Sequence, residues 1–467
     1  MNKQVSYAYQ HLSRTETLFK GENKNINISV SKNSPVNASL SLDGYKHSMV
    51  QIIALTIALK MKTVIVNPPI VSDTYVFIAI INELGGTAKI YNKRLFIDAS
   101  TICNANIPFF LGKCIHGSMY LCPALLIALG KFEYYGSGGC QIGDSIDSHN
   151  RPFSHIASVI ECFNHKISIE SNRIIGNFGD NSDITELDIK NFSYSSEDLS
   201  GPLVGGATKT ALLLSVNKQK FIIKNPYLKT DVYDMIDFLR LIGKKIDISD
   251  NSIVCSGNVM ASSNQYIEFN LTQCISEIIT YSTLALINNT NLTFLDLNKK
   301  TISLTLKPEI DILLAMGVSI KWERNNLHIQ KKGDIKGLNI EVTPTTIQSD
   351  HQPFFVLLSL YGSTDCSITE YVWKERFMYV NNLIQLGANI TIKNNTIFIR
   401  PSNLNYYTGE LPSLDVRSGA VTLLSIIATK SACTLTDSLH IFRGYSRLKE
   451  HMQLMGIDLE YTISTNI

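Results

Sequence analysis

The sequence predicts an α/β fold of two domains, each assembled from three copies of one unit: helix, cap, strand, hairpin, strand. Three observations carry that prediction: a short pattern recurs six times, its helical segments are apolar nearly all round, and its strand segments alternate strictly. The copies are spaced by roughly 70 to 80 residues, longer than the repeats of common solenoids, so grouping them three to a domain suits a chain of 467 residues.

In chain order, Leu84-Gly85 runs into AKIYNKRLFID, Phe163-Asn164 into KISIESNRIIG, and Ile242-Gly243 into KKIDISDNSIV. Met316-Gly317 then runs into VSIKWERNNLHI, Leu386-Gly387 into ANITIKNNTIFI, and Met455-Gly456 into IDLEYT. Glycine stands where a helix needs a left-handed residue to stop, and Asn164 is the one replacement that tolerates the same conformation. The stretches 48–60, 119–129, 208–215, 276–287, 353–360 and 419–429 have no polar face, as expected of helices buried between sheets.

A hydrophobic share of 45% against 18% charged residues is that of a packed globular protein. Lys and Arg number 42 and Asp and Glu 40, which leaves a net charge of +2 and no basic tail, so nucleic acid is not an expected partner. The nine cysteines include no C-x-x-C pair, which argues against a disulfide framework or zinc site and for a reducing, cytoplasmic setting. Residues 1–20 lack an apolar signal core, and the longest apolar stretch, 49–66, is broken by Gln51, Lys60 and Lys62, so no membrane partner is expected.

Candidate chemistry begins at GSGGCQIG, residues 136–143, where Cys140 stands among four glycines that would let a thiol approach a ligand closely. The plainer reading is a free cysteine in a tight turn. Lys46 in DGYKHS, Arg376 in WKERFM and Arg443 in HIFRGYSR lie where a repeat passes from strand or loop into helix, a ready place for phosphate or carboxylate. Each alone is more often a solvated charge. Asp350 in IQSDHQPFF precedes an apolar helix and is either a cap or a general base. Asp415 and Arg417 in SLDVRSGA read equally as a cap with an ion pair or as functional groups. No metal cluster, Ser-His-Asp spacing, phosphate-binding Walker loop or dinucleotide fingerprint appears, so neither metal nor cofactor is expected.

Taken in order, LDGYKHS, VSDTYVFIAIINELGGTAKI, GSGGCQIG, SDHQPFF, KERFMYVNNLIQLGANI, LDVRSGA and HIFRGYSRLKEHMQLMG resemble the UDP-N-acetylglucosamine enolpyruvyl transferases, with 5-enolpyruvylshikimate-3-phosphate synthase a more distant relative. The likeness runs from about residue 24 to 461. It implies two inverse α/β-barrel-like domains of three βαββαβ-type units each, the first at 45–267 and the second at 268–467 completed by 1–44, with the active site between them. It also implies the partners: phosphoenolpyruvate and an acceptor hydroxyl. C3 of phosphoenolpyruvate is protonated while the hydroxyl adds to C2, and the tetrahedral intermediate then loses phosphate and a C3 proton.

Carried over by resemblance, Cys140 is the general acid, open to alkylation by the epoxide fosfomycin, and Asp350 the acceptor-side base. Lys46, Arg376 and Arg443 hold the donor's phosphate and carboxylate, and Asp415 belongs to the proton-shuttling set with Arg417 beside it. The match fails mostly on the acceptor side. Ser145 replaces an Arg, the uracil-holding stretch IDSHN is one residue shorter, and the substrate-binding positions of an Arg and an Asn hold His116 and His47. Pro202 and Val204 replace a Lys and a Ser, and Thr272 replaces an acid. Lys113, His116 and Lys209 are candidates to restore the lost charge. The expected acceptor is therefore UDP-N-acetylglucosamine, or a different nucleotide such as a nucleoside monophosphate; the alternative is a non-catalytic paralogue that binds a nucleotide sugar or a partner protein.

Overall fold

The computed structural model describes residues 24–138, 152–170, 173–179, 183–194, 199–249, 251–259, 265–373 and 376–465. Alternating segments form six small sheets among these residues, five of four strands and one of three. In one of them Thr87–Tyr91 and Arg94–Asp98 make an antiparallel hairpin, Lys62–Ile65 pairs antiparallel with the second strand, and Ile267–Phe269 adds a parallel edge. The hairpin turns at Asn92 and Lys93, both at positive φ (48° and 56°), the geometry that matches the twist of the flanking strands. Leu95 and Ile97 are buried while Arg94, Phe96 and Asp98, which alternate with them, are half-exposed, so the pleat separates core from solvent.

All six cap positions of the repeat adopt positive φ: Gly85 92°, Asn164 62°, Gly243 95°, Gly317 94°, Gly387 91° and Gly456 83°. The sixth unit differs from a local hairpin. Its strand Ile457–Thr465 pairs with Lys24–Asn33 from the other end of the sequence, Ile28 facing Tyr461. The alternation of that distant strand buries Ile26 and Ile28, which gives the sixth sheet the inner face that a following strand would otherwise supply.

The apolar segments form Lys46–Ala58, Leu121–Leu129, Val204–Leu214, Ile275–Ile287, Gln352–Leu360 and Val416–Thr429. They lie inside, three in each of two hydrophobic cores. Their few polar side chains turn back onto their own helix: Thr56, Thr208, Thr210, Thr280, Thr283 and Ser425 each donate to the carbonyl four residues earlier. These six buried hydroxyls thus find an acceptor within their own helix.

The first core takes its residues from Met49 to Leu271, and the second from Ile26 to Tyr45 and from Cys274 to Leu459. Because Ile267–Phe269 is the parallel edge of a first-core sheet, the change of core comes between Leu271 and Cys274, a few residues past 267. The two crossings run side by side, with Tyr45 N donating to Thr272 O (2.8 Å) and Cys274 N to Asp43 O (3.0 Å). A Cβ on Gly44 would lie 2.7 Å from both Asn67 O and Leu271 Cβ, so only glycine lets the crossings approach this closely.

Candidate active site

A cleft of about 240 Å³ opens between the two cores. Its lining includes Lys46, His47, Asp73, His116, Lys209, Asp350, Arg376, Asp415, Arg417 and Arg443. The fold explains the convergence. Helices starting at Lys46, Ser72, Val204, Thr230 and Val416 all present residues of their first turns to this space, where backbone N–H groups and helix dipoles favour anions, and Tyr120 and Asp350 line it just ahead of two more helices. Six lysines and arginines face four aspartates in the lining, a net +2 when both histidines are neutral.

Each cluster is built as two cations on one carboxylate. Asp73, in the first turn of the helix Ser72–Glu83, receives Lys46 Nζ at 3.0 Å and Arg443 Nε at 2.9 Å; Lys46 also donates to the Arg443 carbonyl at 2.8 Å. Burial disfavours the charge of Asp73, yet Arg443 and Lys46 hold its pKa down at about 2. This contact ties the first core to the second across 370 residues of sequence.

On the opposite wall Asp350 accepts Arg376 Nη2 at 2.8 Å and Arg417 Nη2 at 3.0 Å. Burial again opposes ionisation, and the two guanidinium groups overcome it, leaving the carboxyl well below its usual range. Arg417 is further held by Tyr445 Oη at 3.0 Å, and Arg376 by Ser349 Oγ at 3.1 Å. Asp415 caps the helix Val416–Thr429, accepting N–H groups of Arg417 (2.7 Å) and Ser418 (3.1 Å). The capping reading of Asp415 therefore holds, whereas the side chain of Arg417 turns to Asp350.

A profile of the EPSP synthase (3-phosphoshikimate 1-carboxyvinyltransferase) family matches residues 30–452. The chain belongs to the EPSP synthase family. Its activity is of that class, enolpyruvyl transfer from phosphoenolpyruvate to an acceptor. UDP-N-acetylglucosamine 1-carboxyvinyltransferase from Buchnera aphidicola subsp. Schizaphis graminum is 27% identical over 91% of this chain and 97% of its own length. The protein of that name from the Baizongia pistaciae subspecies is 28% identical over 90% and 96%. Among solved structures, the enolpyruvyl transferase NikO from Streptomyces tendae is similar with a TM-score of 0.84 and 24% identity, covering 95% of this chain and 100% of that one. EPSP synthase from Acinetobacter baumannii gives 0.66 and 14%, covering 94% and 100%.

Within this enolpyruvyl transferase fold, other expected positions fare differently. Cys140, Ser145 and the IDSHN stretch lie outside the described residues. Lys113 is not among the cleft's lining residues. Thr272 is fully buried at the core crossing, where it donates to Asp234 Oδ1 (2.7 Å) and accepts from Asn298 Nδ2 (3.0 Å), so it faces the crossing and not the cleft. Pro202 lines the cleft, while Val204 is buried. His47 stacks on Tyr45 with ring centroids 5.0 Å apart; burial, then Lys46 and Lys209, push its pKa down to about 3, so it is a neutral ring at physiological pH.

Sequence reasoning missed Asp73, Asp231 and Lys229. Asp231 binds Lys209 Nζ at 2.9 Å, and Lys229 lies over the ring of Tyr227 at 4.3 Å. Asp73 and Asp231 each sit in the first turn of a helix, a position that reads as dipole compensation and hides any other role. Among the described residues no helix is long and apolar enough to cross a membrane.

Proposed function

We propose that the chain is a cytoplasmic enolpyruvyl transferase acting on a nucleotide or nucleotide sugar, such as UDP-N-acetylglucosamine or a nucleoside monophosphate, with release of phosphate. The two cores act as its two domains, close to the expected bounds of 45–267 and 268–467 with 1–44 but exchanging between Leu271 and Cys274. The observation that carries this reading is the convergence of Lys46 and Arg443 on one side, and Arg376 and Arg417 on the other, around a single cleft. Phosphoenolpyruvate is a small, highly charged anion, and these groups come from segments that have no packing reason to bring like charges together.

In the proposed reaction Cys140 protonates C3, the acceptor hydroxyl adds to C2, and Asp350 takes the hydroxyl proton. The intermediate then expels phosphate and loses a C3 proton, with Asp415 in the proton-shuttling set. Asp350 bound by two arginines is a weak base. Substrate anions compete for the same guanidinium groups, so donor binding loosens them and raises the basicity of Asp350 at the moment a base is needed. Lys46, Arg443 and Arg376 bind the phosphate and carboxylate, and His47 and His116 line the acceptor's side. The test is phosphate release from phosphoenolpyruvate across a panel of nucleotides and nucleotide sugars, with the product identified by mass. One acceptor should support release and gain a carboxyvinyl group. Release from none of them would refute the reading.

A further inference from the structure

The wall contributed by the first core holds a charged cluster that donor binding does not use. Lys209, on the helix Val204–Leu214, is 8% exposed, bonds Asp231 at 2.9 Å and lies 4.5 Å over the ring of Tyr120. Lys229 is half-buried and lies 4.3 Å over the ring of Tyr227. All five residues line the cleft. An isolated structural ion pair needs one lysine and one carboxylate. Here a second lysine, Lys229, lies near enough to feel Asp231 without pairing with it, and both lysines stay charged: burial opposes their charge, but Asp231 for Lys209, and Tyr227 for Lys229, raise the pKa.

An ammonium has three donors, and a ring face attracts the charge without consuming all of them. The cluster therefore retains one positive charge and unused N–H capacity inside the cleft. Gly205 and Gly206, at the N-terminal end of an eleven-residue helix, line the same corner and add backbone polarity of the same sign. The neutral ring of His47 lies close enough to feel both Lys46 on the donor side and Lys209 and Asp231 on this one, so the two anion sites are neighbours, as group transfer requires.

We infer that Lys209 and Lys229, moderated by Asp231 and backed by Tyr120 and Tyr227, form the subsite for a phosphoryl group of the acceptor. This rests on the proposed transfer to a nucleotide and deepens it: the acceptor is recognised through a phosphate on this wall, separate from the donor's phosphate. Lys229 sets the preference for phosphorylated acceptors. Lys209 is its buried partner.

Calorimetric titration of uridine and adenosine 5′-monophosphates, and of the two unphosphorylated nucleosides, into wild type, Lys229→Gln and Lys229→Arg tests this. Wild type should bind at least one monophosphate roughly tenfold or more above its nucleoside, the value of a charge-assisted hydrogen bond. Lys229→Gln should lose that preference while keeping its affinity for phosphoenolpyruvate, and Lys229→Arg should retain it. Wild type that binds nucleosides and monophosphates alike, or binds neither, overturns the inference, as does Lys229→Gln with its preference intact. A Lys229-dependent preference without phosphate release in the presence of phosphoenolpyruvate would uphold this subsite and refute the transfer reaction, so the two failures are distinct.

Discussion

The two walls of the cleft solve the same electrostatic problem with different side chains. On the second-core wall, two arginines grip Asp350 through planar guanidinium groups anchored by Tyr445 and Ser349. On the first-core wall, Lys209 and Lys229 stand around Asp231 over tyrosine rings. Arginine's rigid fork fixes the orientation of a carboxylate or phosphate, whereas lysine offers a point charge that tolerates varied anions. Under the proposed assignment, the arginine wall meets the donor with rigid geometry, and the lysine wall meets the variable acceptor with charge.

The largest effect that separates the walls should follow loss of a second-core arginine. Arg376→Gln should lower kcat/KM for phosphoenolpyruvate about 10² to 10³-fold, the usual cost of removing a donor aimed at developing charge. A comparable loss in Lys229→Gln, measured with the same donor, would erase the distinction.

Next in size is a stability effect. Asp350 is 28% exposed, and Arg376 and Arg417 beside it are nearly buried. Asp350→Asn leaves two like charges facing each other and should cost about 2 kcal/mol, below the value for a fully buried pair because the carboxylate is partly solvated. Adding phosphoenolpyruvate should raise the Tm of this variant more than that of wild type, since the ligand supplies the missing negative charge. An equal rise in both proteins would mean that the arginines do not bind the donor.

A subtler contrast lies within one helix of the first wall, Thr230–Leu241. Asp231 and Asp234 are three residues apart, yet Lys209 keeps Asp231 below the usual range despite burial, while burial pushes Asp234 up to about 7, opposed only by hydroxyl and amide donors at Ser48 and Thr272. An unfolded Asp titrates at about 3.9. Below about pH 4 both states are protonated, and the fold keeps its full stability from this group. As pH rises, the unfolded chain ionises first, so stability falls until about pH 7 and then levels off. Asp234→Asn should remove this decline, and the gap between variant and wild-type Tm should shift in the variant's favour from pH 4 to 7. Parallel curves would show that Asp234 is already ionised in the fold.

The smallest effect is expected far from the cleft. Lys307 and Asp311 form an ion pair on an exposed helix, 69% and 56% accessible, and Lys307→Ala should change stability by no more than about 0.5 kcal/mol in a urea titration. A larger change would show that exposed pairs here are coupled into the fold, against the contrast drawn with the cleft.

The repeat was legible because its signals are local: a glycine or Asn164 at each cap, an alternating pair of strands, an apolar helix. The sixth sheet was not, since its closing strand lies more than 400 residues from its partner and no local rule joins Ile28 to Tyr461. The same divide runs through the site. Lys46, Asp350, Arg376, Asp415, Arg417 and Arg443 stand in segments whose order resembles a known family, and all of them line the cleft. Asp73 stands in such a segment too, but only as an acid in a helix's first turn, and Asp231 and Lys229 carry no such mark. An acid in a helix's first turn looks like dipole compensation, and a lysine before a helix looks like a surface charge, until tertiary contacts assign each a partner. Thr272 misled for the converse reason, because a position in sequence does not reveal which way the chain faces at a crossing.

The most direct measurement is the reaction run in deuterated water. Protonation of C3 followed by proton loss should leave deuterium on the methylene carbon of the product, alongside one carboxyvinyl group on a nucleotide acceptor and one phosphate released. Phosphoenolpyruvate recovered without deuterium, with every nucleotide and nucleotide sugar unchanged in mass, would contradict it.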